Sequence, residues 1–441
     1  MTANDAIKYS HKVSLEKTFY NVVKSYLPQQ RWLGKNNHYK DKTIDKIKNN
    51  VRNPGANPVN HKHLAEYIAS STVLHCFAGW NYISRSIESL LNNDIPSCIH
   101  FAYYGELRAA MSLLATEGIG VFDNFHFFID TNQDCREFRG SKTHKMTDEL
   151  INLWAQEPVK KEQIFNIIRV RNKNISDWFR DANYSISSSY ASDILKDWLV
   201  EWSMDLKFIE DQYLRNEMSY RPHFKNHYLD IKTAISTVKD IWQGLEPTND
   251  HRFQELDLHL FRIALEKAFS KFTGVKTISR KYALFIDKMF ANAGEPTNQY
   301  FYNFLLRSVS DEDHVLLINA RSDRNKNRIG MQYPFAIISR GILLLRLASG
   351  LCDSLIKNTG LTINVFKFWW EEIAFEMGLI PSRPYMLNSI DLFADVVASF
   401  NNIEFNDVTL WTSTKNVNNI YSSELQELKQ FQRVGIWGLG L

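Results

Sequence analysis

Arg139 and His144 are the residues of this chain whose types and spacing best suit a chemical reaction. Cleavage of RNA without a metal ion needs a base for the 2′-hydroxyl, an acid for the leaving oxygen and a cation against the phosphate. Histidine supplies acid or base near neutral pH, and arginine binds a phosphate through two parallel hydrogen bonds. The pair therefore fits a ribonuclease in which Arg139 holds the phosphate and His144 acts as acid or base.

The spacing of this pair does not by itself distinguish it. An arginine followed by a histidine, with four to six residues between them, occurs at Arg31/His38, Arg139/His144, Arg221/His227, Arg252/His259 and Arg307/His314. We expect His259 to flank the core on an amphipathic helix. The acidic turn between Arg307 and His314 would repel a phosphate. Arg31/His38 is the second choice, because it lies in a basic part of the chain.

The apolar pattern around the pair indicates the elements that position it. Apolar residues at three- and four-residue steps predict two long helices within residues 64–121, joined by a short turn at 92–96. A short turn between long helices favours an antiparallel hairpin. Residues 121–130 then look strand-like, 131–142 look like a polar loop, and a further helix begins near Thr143. This places His144 in a first helical turn, whose positive end favours a phosphate.

Four side chains on the second hairpin helix could support the same site. Glu106 and Arg108 are candidates to line the cleft, although a solvated or intrahelical pair would have the same spacing. Tyr104, with its neighbour Tyr103, would either contact a nucleotide or pack in the core.

The fold class that these patterns predict is mainly α-helical. A chain of 441 residues exceeds the size of most single cores, so we expect two domains or three. The predicted division is a basic segment at 1–63, a helical domain at 64–225 and a second, larger helical domain at 226–441. Further predicted helices are 161–183, helical material over 189–215, and 227–244, 254–273, 278–292, 297–308, 334–357, 364–378 and 388–400. Residues 314–320 are predicted as one buried strand.

Charge is unevenly distributed along the chain. Residues 1–63 carry 12 Lys or Arg and 4 Asp or Glu, a charge of about +8, whereas the remainder carries about −5. A basic segment is the electrostatic footprint of phosphate binding, so the predicted nucleic-acid contacts are Arg31, Lys35, Lys40 and Lys42. A solvated lysine-rich surface is the alternative.

Several classes of site are not indicated by the sequence. It has no Walker-type phosphate loop, no dinucleotide-binding glycine motif, no HExxH and no Cys/His cluster, so we expect neither a metal ion nor a cofactor. The four cysteines fit buried reduced thiols, and no signal peptide is evident, so the predicted location is the cytoplasm. The apolar run 335–352 contains Arg340 and Arg346, and we predict a buried helix there with no membrane contact.

Residues 79–119, GWNYISRSIESLLNNDIPSCIHFAYYGELRAAMSLLATEGI, resemble the helical hairpin of HEPN domains. The shared features are a short turn containing an aspartate and a Tyr-Tyr pair followed by small and apolar residues that lead into a glycine. Residues 142–146, Lys-Thr-His-Lys-Met, resemble the helix start that often follows. The resemblance covers residues 64–155. One departure is Gly140, because the family usually has a polar residue, often Asn, directly after its arginine.

The resemblance implies an α-helical bundle that is often dimeric and often a metal-independent endoribonuclease with an Arg-x4–6-His site. HEPN-like proteins are common in prokaryotic toxin–antitoxin and anti-phage systems, which makes RNA a more expected partner than DNA. It also leaves an alternative, because many such domains are inactive. The chain would then be a non-catalytic helical scaffold or a nucleic-acid-binding subunit of a multi-protein defence complex.

Overall fold

A computed structural model describes residues 1–157, 162–182, 208–220, 229–277, 279–294, 298–309, 312–321, 333–380, 382, 388–403 and 413–440. Within these ranges the chain is mainly α-helical with a few short strands, which confirms the predicted fold class.

The elements up to residue 182 are dominated by a long helical hairpin. In chain order they are α1 (Ala3–Tyr9), α2 (Lys12–Tyr26), a 3-10 turn (Leu27–Gln29), α3 (Thr43–Arg52), α4 (His61–Leu91), α5 (Ile95–Thr116), β1 (Ile119–Gly120), β2 (Phe125–Ile129), β3 (Cys135–Arg139), α6 (Thr143–Gln156), α7 (Glu162–Ile167), β4 (Arg169–Val170), β5 (Lys173–Asn174) and α8 (Ile175–Asp181).

The described elements after residue 207 are helical. They are α9 (Phe208–Tyr220), α10 (Ile231–Gln243), α11 (Gln254–Thr273), α12 (Arg280–Ala293), α13 (Gln299–Leu305), α14 (Val315–Arg321), α15 (Tyr333–Asn358), a 3-10 turn (Ile363–Phe366), α16 (Lys367–Glu376), α17 (Ser389–Asn402), α18 (Thr414–Ile420), α19 (Ser422–Leu428) and α20 (Arg433–Gly438). The seven helices predicted between 227 and 400 are confirmed, with the predicted starts at 227, 278 and 297 outside the described residues.

Helices α4 and α5 form the predicted antiparallel hairpin. The Asp94 side chain caps α5 by accepting a hydrogen bond from the Ser97 amide, and Pro96 occupies its first turn. Helices α4 and α5 come close together at Gly79 and Gly105. A Cβ added at Gly79 would lie 3.3 Å from the Gly105 carbonyl oxygen, which leaves little room for a side chain. The two glycines thus let the two helix backbones approach closely.

Helix α15 crosses this hairpin as the buried helix that the sequence predicts. A Cβ added at Gly341 would lie 3.7 Å from the Ala102 carbonyl oxygen, so α15 also packs closely against α5. Its length and composition would allow a membrane span, yet 94% of its apolar window is buried inside the protein. Within the described residues, α15 is therefore a core helix.

The segment between α5 and α6 departs from the prediction in one place. Strand β2 confirms the strand-like interpretation of 121–130, but the predicted loop 131–142 is wrong, because 135–139 form β3 and Arg139 pairs with Phe125. Cys135 and Phe138 are buried while Arg136 and Arg139 are exposed. β3 lies at the edge of its sheet, and three of its five residues, Arg136, Glu137 and Arg139, are charged, which is why it looked like a loop.

Two other predicted elements are wrong. The predicted helix 161–183 is broken into α7, a β4–β5 hairpin and α8, because Arg171 and Asn172 both adopt positive φ in a tight turn. Residues 315–320 of the predicted strand are helical, since they belong to α14. A short apolar run cannot be assigned from periodicity alone.

Most of the predicted helical stretch 189–215 lies outside the described residues. From residue 208 onward the stretch belongs to α9.

The basic N-terminal segment is folded into the rest of the protein. Leu15, Phe19 and Tyr39 are buried, and they belong to one continuous apolar core with residues of α4, α5 and α15. The four cysteines are all buried and free, as predicted. The division into domains at 63 and 225 stays a prediction.

Candidate functional site

His144 lies in the first turn of α6, as predicted, and contacts the tyrosine pair of α5. Its Nδ1 lies 2.6 Å from the Tyr103 hydroxyl, and the two rings stack with their centroids 5.6 Å apart. The Tyr104 ring meets His144 edge-on at 6.3 Å. Tyr104 therefore belongs to the site, and its neighbour Tyr103 is the closer partner.

Arg139 has different partners. Its Nε donates to Glu137 at 2.9 Å, its guanidinium lies over Phe125, and its side chain is 72% exposed. The described contacts of Arg139 include none of the groups that touch His144. The structure thus does not bring the predicted catalytic pair together through any described contact.

Gly140, where the family usually has a polar residue, lies against α6. A Cβ added at Gly140 would lie 1.9 Å from Cε of Met146, a buried residue of α6. A side chain at this position would therefore require the flexible end of Met146 to move.

The cation beside His144 is Arg215 of α9. Its guanidinium carbon lies 5.4 Å from the Tyr103 ring centroid and 5.5 Å from that of Tyr104. Its Nε is buried and has no hydrogen-bond partner among the described residues. Sequence reasoning missed Arg215, because no histidine follows it at the expected spacing and it comes from a helix far along the chain.

A second histidine completes this group. His100 Nδ1 lies 3.1 Å from the Ser219 hydroxyl, and its ring centroid is 5.0 Å from that of Tyr104. His100, Tyr103 and Tyr104 share a face of α5 because residues three and four apart are neighbours on a helix. We call His100, Tyr103, Tyr104, His144 and Arg215 the His144 cluster.

The cluster favours neutral imidazoles. Burial, and after it the positive charge of Arg215, lower the pKa of His144 and also that of His100. Burial, and after it the neighbouring Glu106, raise the pKa of Tyr103, so this hydroxyl keeps its proton. At neutral pH His144 is therefore able to accept a proton.

A fully buried ionic group lies beneath the cluster. Arg340 of α15 donates to both carboxylate oxygens of Asp211, with Nη2 at 2.8 Å and 3.0 Å, and Tyr333 also donates to Asp211. Arg340 Nε is 3.8 Å from Glu106. Glu106 and Asp211 are 0% exposed and Arg340 is 1% exposed, so the pair is shielded from water.

Glu106 is best described as a neutral acid. Neither of its oxygens accepts a hydrogen bond from the described residues. Burial, and after it the charge of Asp211, raise its pKa well above the usual range. A protonated carboxyl can donate its O–H to Asp211, which accounts for a carboxyl group buried beside a carboxylate.

The two other predicted supporting residues do not line one cleft. Glu106 is buried against α15, and Arg108 donates to His75 Nδ1 of α4 at 3.0 Å. The structure thus places the two side chains against different helices, because the sequence does not reveal which neighbours cover a helix with apolar residues on several faces.

Replacing Glu106 with glutamine should flatten the dependence of stability on pH. The raised pKa stabilises the wild-type fold fully at acid pH, and that contribution is lost as pH rises toward the folded-state pKa. The amide does not titrate, so the variant should lose less stability between pH 5 and pH 9. Melting temperatures across this range test it, with exposed Glu149→Gln as the control. Parallel curves for wild type and Glu106→Gln would contradict the assignment.

The predicted nucleic-acid contacts of the N-terminal segment are solvent-exposed. They are Arg31, Lys35, Lys40 and Lys42, which lie between α2 and α3. His38, the partner of Arg31 in the second-choice pair, is also exposed, and its backbone amide donates to His63. These residues form a positively charged surface.

Among the described residues, no group of three or more His, Cys, Asp or Glu side chains is arranged to hold a metal ion. Comparison with known proteins finds no matching family model, no matching curated protein and no matching solved structure.

Proposed function

We propose that this protein is a metal-independent endoribonuclease that uses the His144 cluster. The observation that carries this proposal is His144 at a helix start, hydrogen-bonded to Tyr103, with the Arg215 guanidinium over the Tyr103 ring. The cluster combines a neutral imidazole, a cation and aromatic rings on which a base can stack. This arrangement moves the phosphate-binding role from Arg139 to Arg215.

The proposed reaction follows from the groups in the cluster. When the His144 proton is on Nδ1, this N–H group donates a hydrogen bond to the Tyr103 oxygen. Nε2 is then unprotonated and can take the proton of an RNA 2′-hydroxyl. The 2′-oxygen attacks the phosphorus, and the bond to the 5′-oxygen breaks, which leaves a 2′,3′-cyclic phosphate. Arg215 stabilises the charge on the phosphate. The 5′-oxygen takes a proton from solvent, and His144 returns to solvent the proton that it accepted.

A role in prokaryotic anti-phage defence or as a toxin is part of the same proposal. Its support is the resemblance of residues 64–155 to HEPN domains. The exposed cations near α3 suit the RNA backbone. They equally favour the alternative, a nucleic-acid-binding subunit or scaffold without catalysis.

A matched pair of arginine variants tests the site. Labelled RNA is incubated with each protein in excess EDTA, and products are examined for cyclic phosphate ends. Arg215→Ala should slow cleavage by about 10²-fold or more, because one charge-stabilising donor is lost. Arg139→Ala should leave the rate unchanged, since Arg139 is exposed and paired with Glu137.

The other outcomes are also informative. A loss confined to Arg139→Ala would restore the Arg139/His144 site and remove the Arg215 assignment. RNA binding by wild type without any cleavage in EDTA would contradict the enzyme and support the scaffold.

A further inference from the structure

A polar cleft lies between α11, α15 and the loop that joins α10 to α11. It consists of two cavities of about 340 Å³ and 450 Å³. Both are lined by Arg169, Thr248, Asn249, Asp250 and His251, so they adjoin. Their sizes fall in the range of small-molecule sites, about 300–1,000 Å³.

The smaller cavity, which we call the phosphate cavity, has a buried arginine in its wall. Arg346 is 4% exposed, and its Nε and Nη2 are fixed on Asp257 at 2.7 Å each, with Nη2 also donating to the Ile167 carbonyl at 2.8 Å. Its Nη1 has no hydrogen bond to any described residue. A Cβ at Gly350 would lie 2.8 Å from Nη1, so the glycine leaves this nitrogen accessible. Both residues line the cavity.

The described lining of the phosphate cavity holds four cationic side chains (Arg169, Arg252, Arg346 and Lys357) and three carboxylates (Asp250, Asp257 and Asp353). Arg252 and Lys357 both pair with Asp353, at 2.9 Å and 2.8 Å, so two cations share one carboxylate. His251 faces both cavities, and its ring forms no hydrogen bond with the described residues. Cations and an unengaged imidazole around a fixed arginine suit a phosphate group.

The larger cavity, which we call the aromatic cavity, has surfaces that suit an aromatic ring of a ligand. Tyr300 is 59% exposed at its wall, and Phe301 lies beside it. The Arg171 guanidinium lies 5.5 Å from the Phe301 ring centroid, and its buried Nη1 has no hydrogen-bond partner among the described residues. Tyrosine faces and arginine planes are the surfaces on which nucleobases stack.

The rigidity of the wall between the cavities favours a preformed site. The Thr248 amide donates to the His251 carbonyl at 2.6 Å, and the His251 amide donates to the Thr248 hydroxyl at 3.0 Å. This reciprocal pair closes a turn that holds Asn249 and Asp250 at the junction of the two cavities. Ligand binding would therefore require little free energy to order this loop.

We propose that this cleft binds a nucleoside monophosphate. The phosphate lies against Arg346, Arg252 and Lys357, and the base stacks on Tyr300 in the aromatic cavity. The cleft shares no residue with the His144 cluster, so this proposal goes beyond the nuclease and stands or falls separately.

Calorimetric titration of the whole chain tests the proposal. The probes are AMP, GMP, CMP and UMP, with adenosine and inorganic phosphate as the two halves of a ligand. We expect at least one nucleotide to bind more tightly than either half, because each half occupies one cavity only. A 5′-phosphorylated oligonucleotide distinguishes a free nucleotide from the end of an RNA chain: tighter binding of the oligonucleotide would overturn the assignment to a free nucleotide.

Two surface variants locate the ligand without disturbing the buried pair of Arg346 and Asp257. Tyr300→Ala should weaken nucleotide binding about fivefold or more, since stacking on one base is lost, and should leave phosphate binding unchanged. Lys357→Ala should weaken both nucleotide and phosphate. Exposed Tyr9→Ala and Lys17→Ala are the matched controls. Absence of binding to all four nucleotides at millimolar concentration, or binding that neither variant changes, would overturn the proposal.

Discussion

His144→Ala should lower the rate of RNA cleavage by about 10²–10⁴-fold, the usual contribution of a positioned acid or base. The His144 imidazole has a lowered pKa and bonds the Tyr103 hydroxyl. Because the neutral form is the base, wild-type activity should fall as pH drops below the lowered pKa of His144. The measurement is initial cleavage rate in EDTA at several pH values.

Exposed His38→Ala is the control for this prediction, because His38 belongs to the second-choice Arg31/His38 pair. It should cleave at the wild-type rate. Melting temperatures of both variants show whether either is unfolded. A folded His144→Ala protein that cleaves normally would remove His144 from the mechanism, and a loss with His38→Ala would transfer the site to the N-terminal surface.

Arg340→Met should destabilise the protein by about 3–5 kcal/mol, as expected when one partner of a buried ion pair is removed. Asp211, which is 0% exposed, would lose its guanidinium partner and keep as donors the Tyr333 hydroxyl and the protonated Glu106 carboxyl. The free energy of unfolding is measured by urea denaturation. Arg180→Met, which breaks an exposed pair with Asp177, should cost about 1 kcal/mol or less.

A double variant distinguishes the stability lost by leaving a buried charge unpaired from the stability lost with side-chain packing. Arg340→Met combined with Asp211→Asn removes both charges, so it should recover part of the stability that Arg340→Met loses. If Arg340→Met costs no more than Arg180→Met, the pair contributes no more than a surface pair and the burial argument is wrong.

The sequence was sufficient for elements whose pattern is local. The α4–α5 hairpin, the helix start at His144 and the buried helix α15 all follow from apolar spacing, and the short turn at 92–96 makes the first of these an antiparallel hairpin. Strand β3 and the turn at Arg171 were missed, because an edge strand has a polar composition and a short apolar run does not reveal a positive φ.

The site was predictable only in part, for a different reason. His144 and Tyr104 belong to one stretch of about 40 residues, and their contact follows from the hairpin and α6. Arg215 and Arg340 come from α9 and α15, and no local pattern relates their positions to those of α5. Tertiary packing decided which arginine meets His144, and the arginine nearest in sequence is not that one.

The ion pair of Arg340 and Asp211 bears on whether the α4–α5 hairpin could fold as an independent unit. Asp211 and Arg215 lie one turn apart on α9. The hydrogen bonds from Arg340 of α15 to Asp211 therefore also fix where Arg215 contacts the tyrosine pair of α5. Residues 64–155 excised alone would lack both helices and would expose the Glu106 face to water. Residues 64–155 are thus not a transferable module: the cation of the His144 cluster and the lining of the Glu106 face come from sequence that lies beyond them.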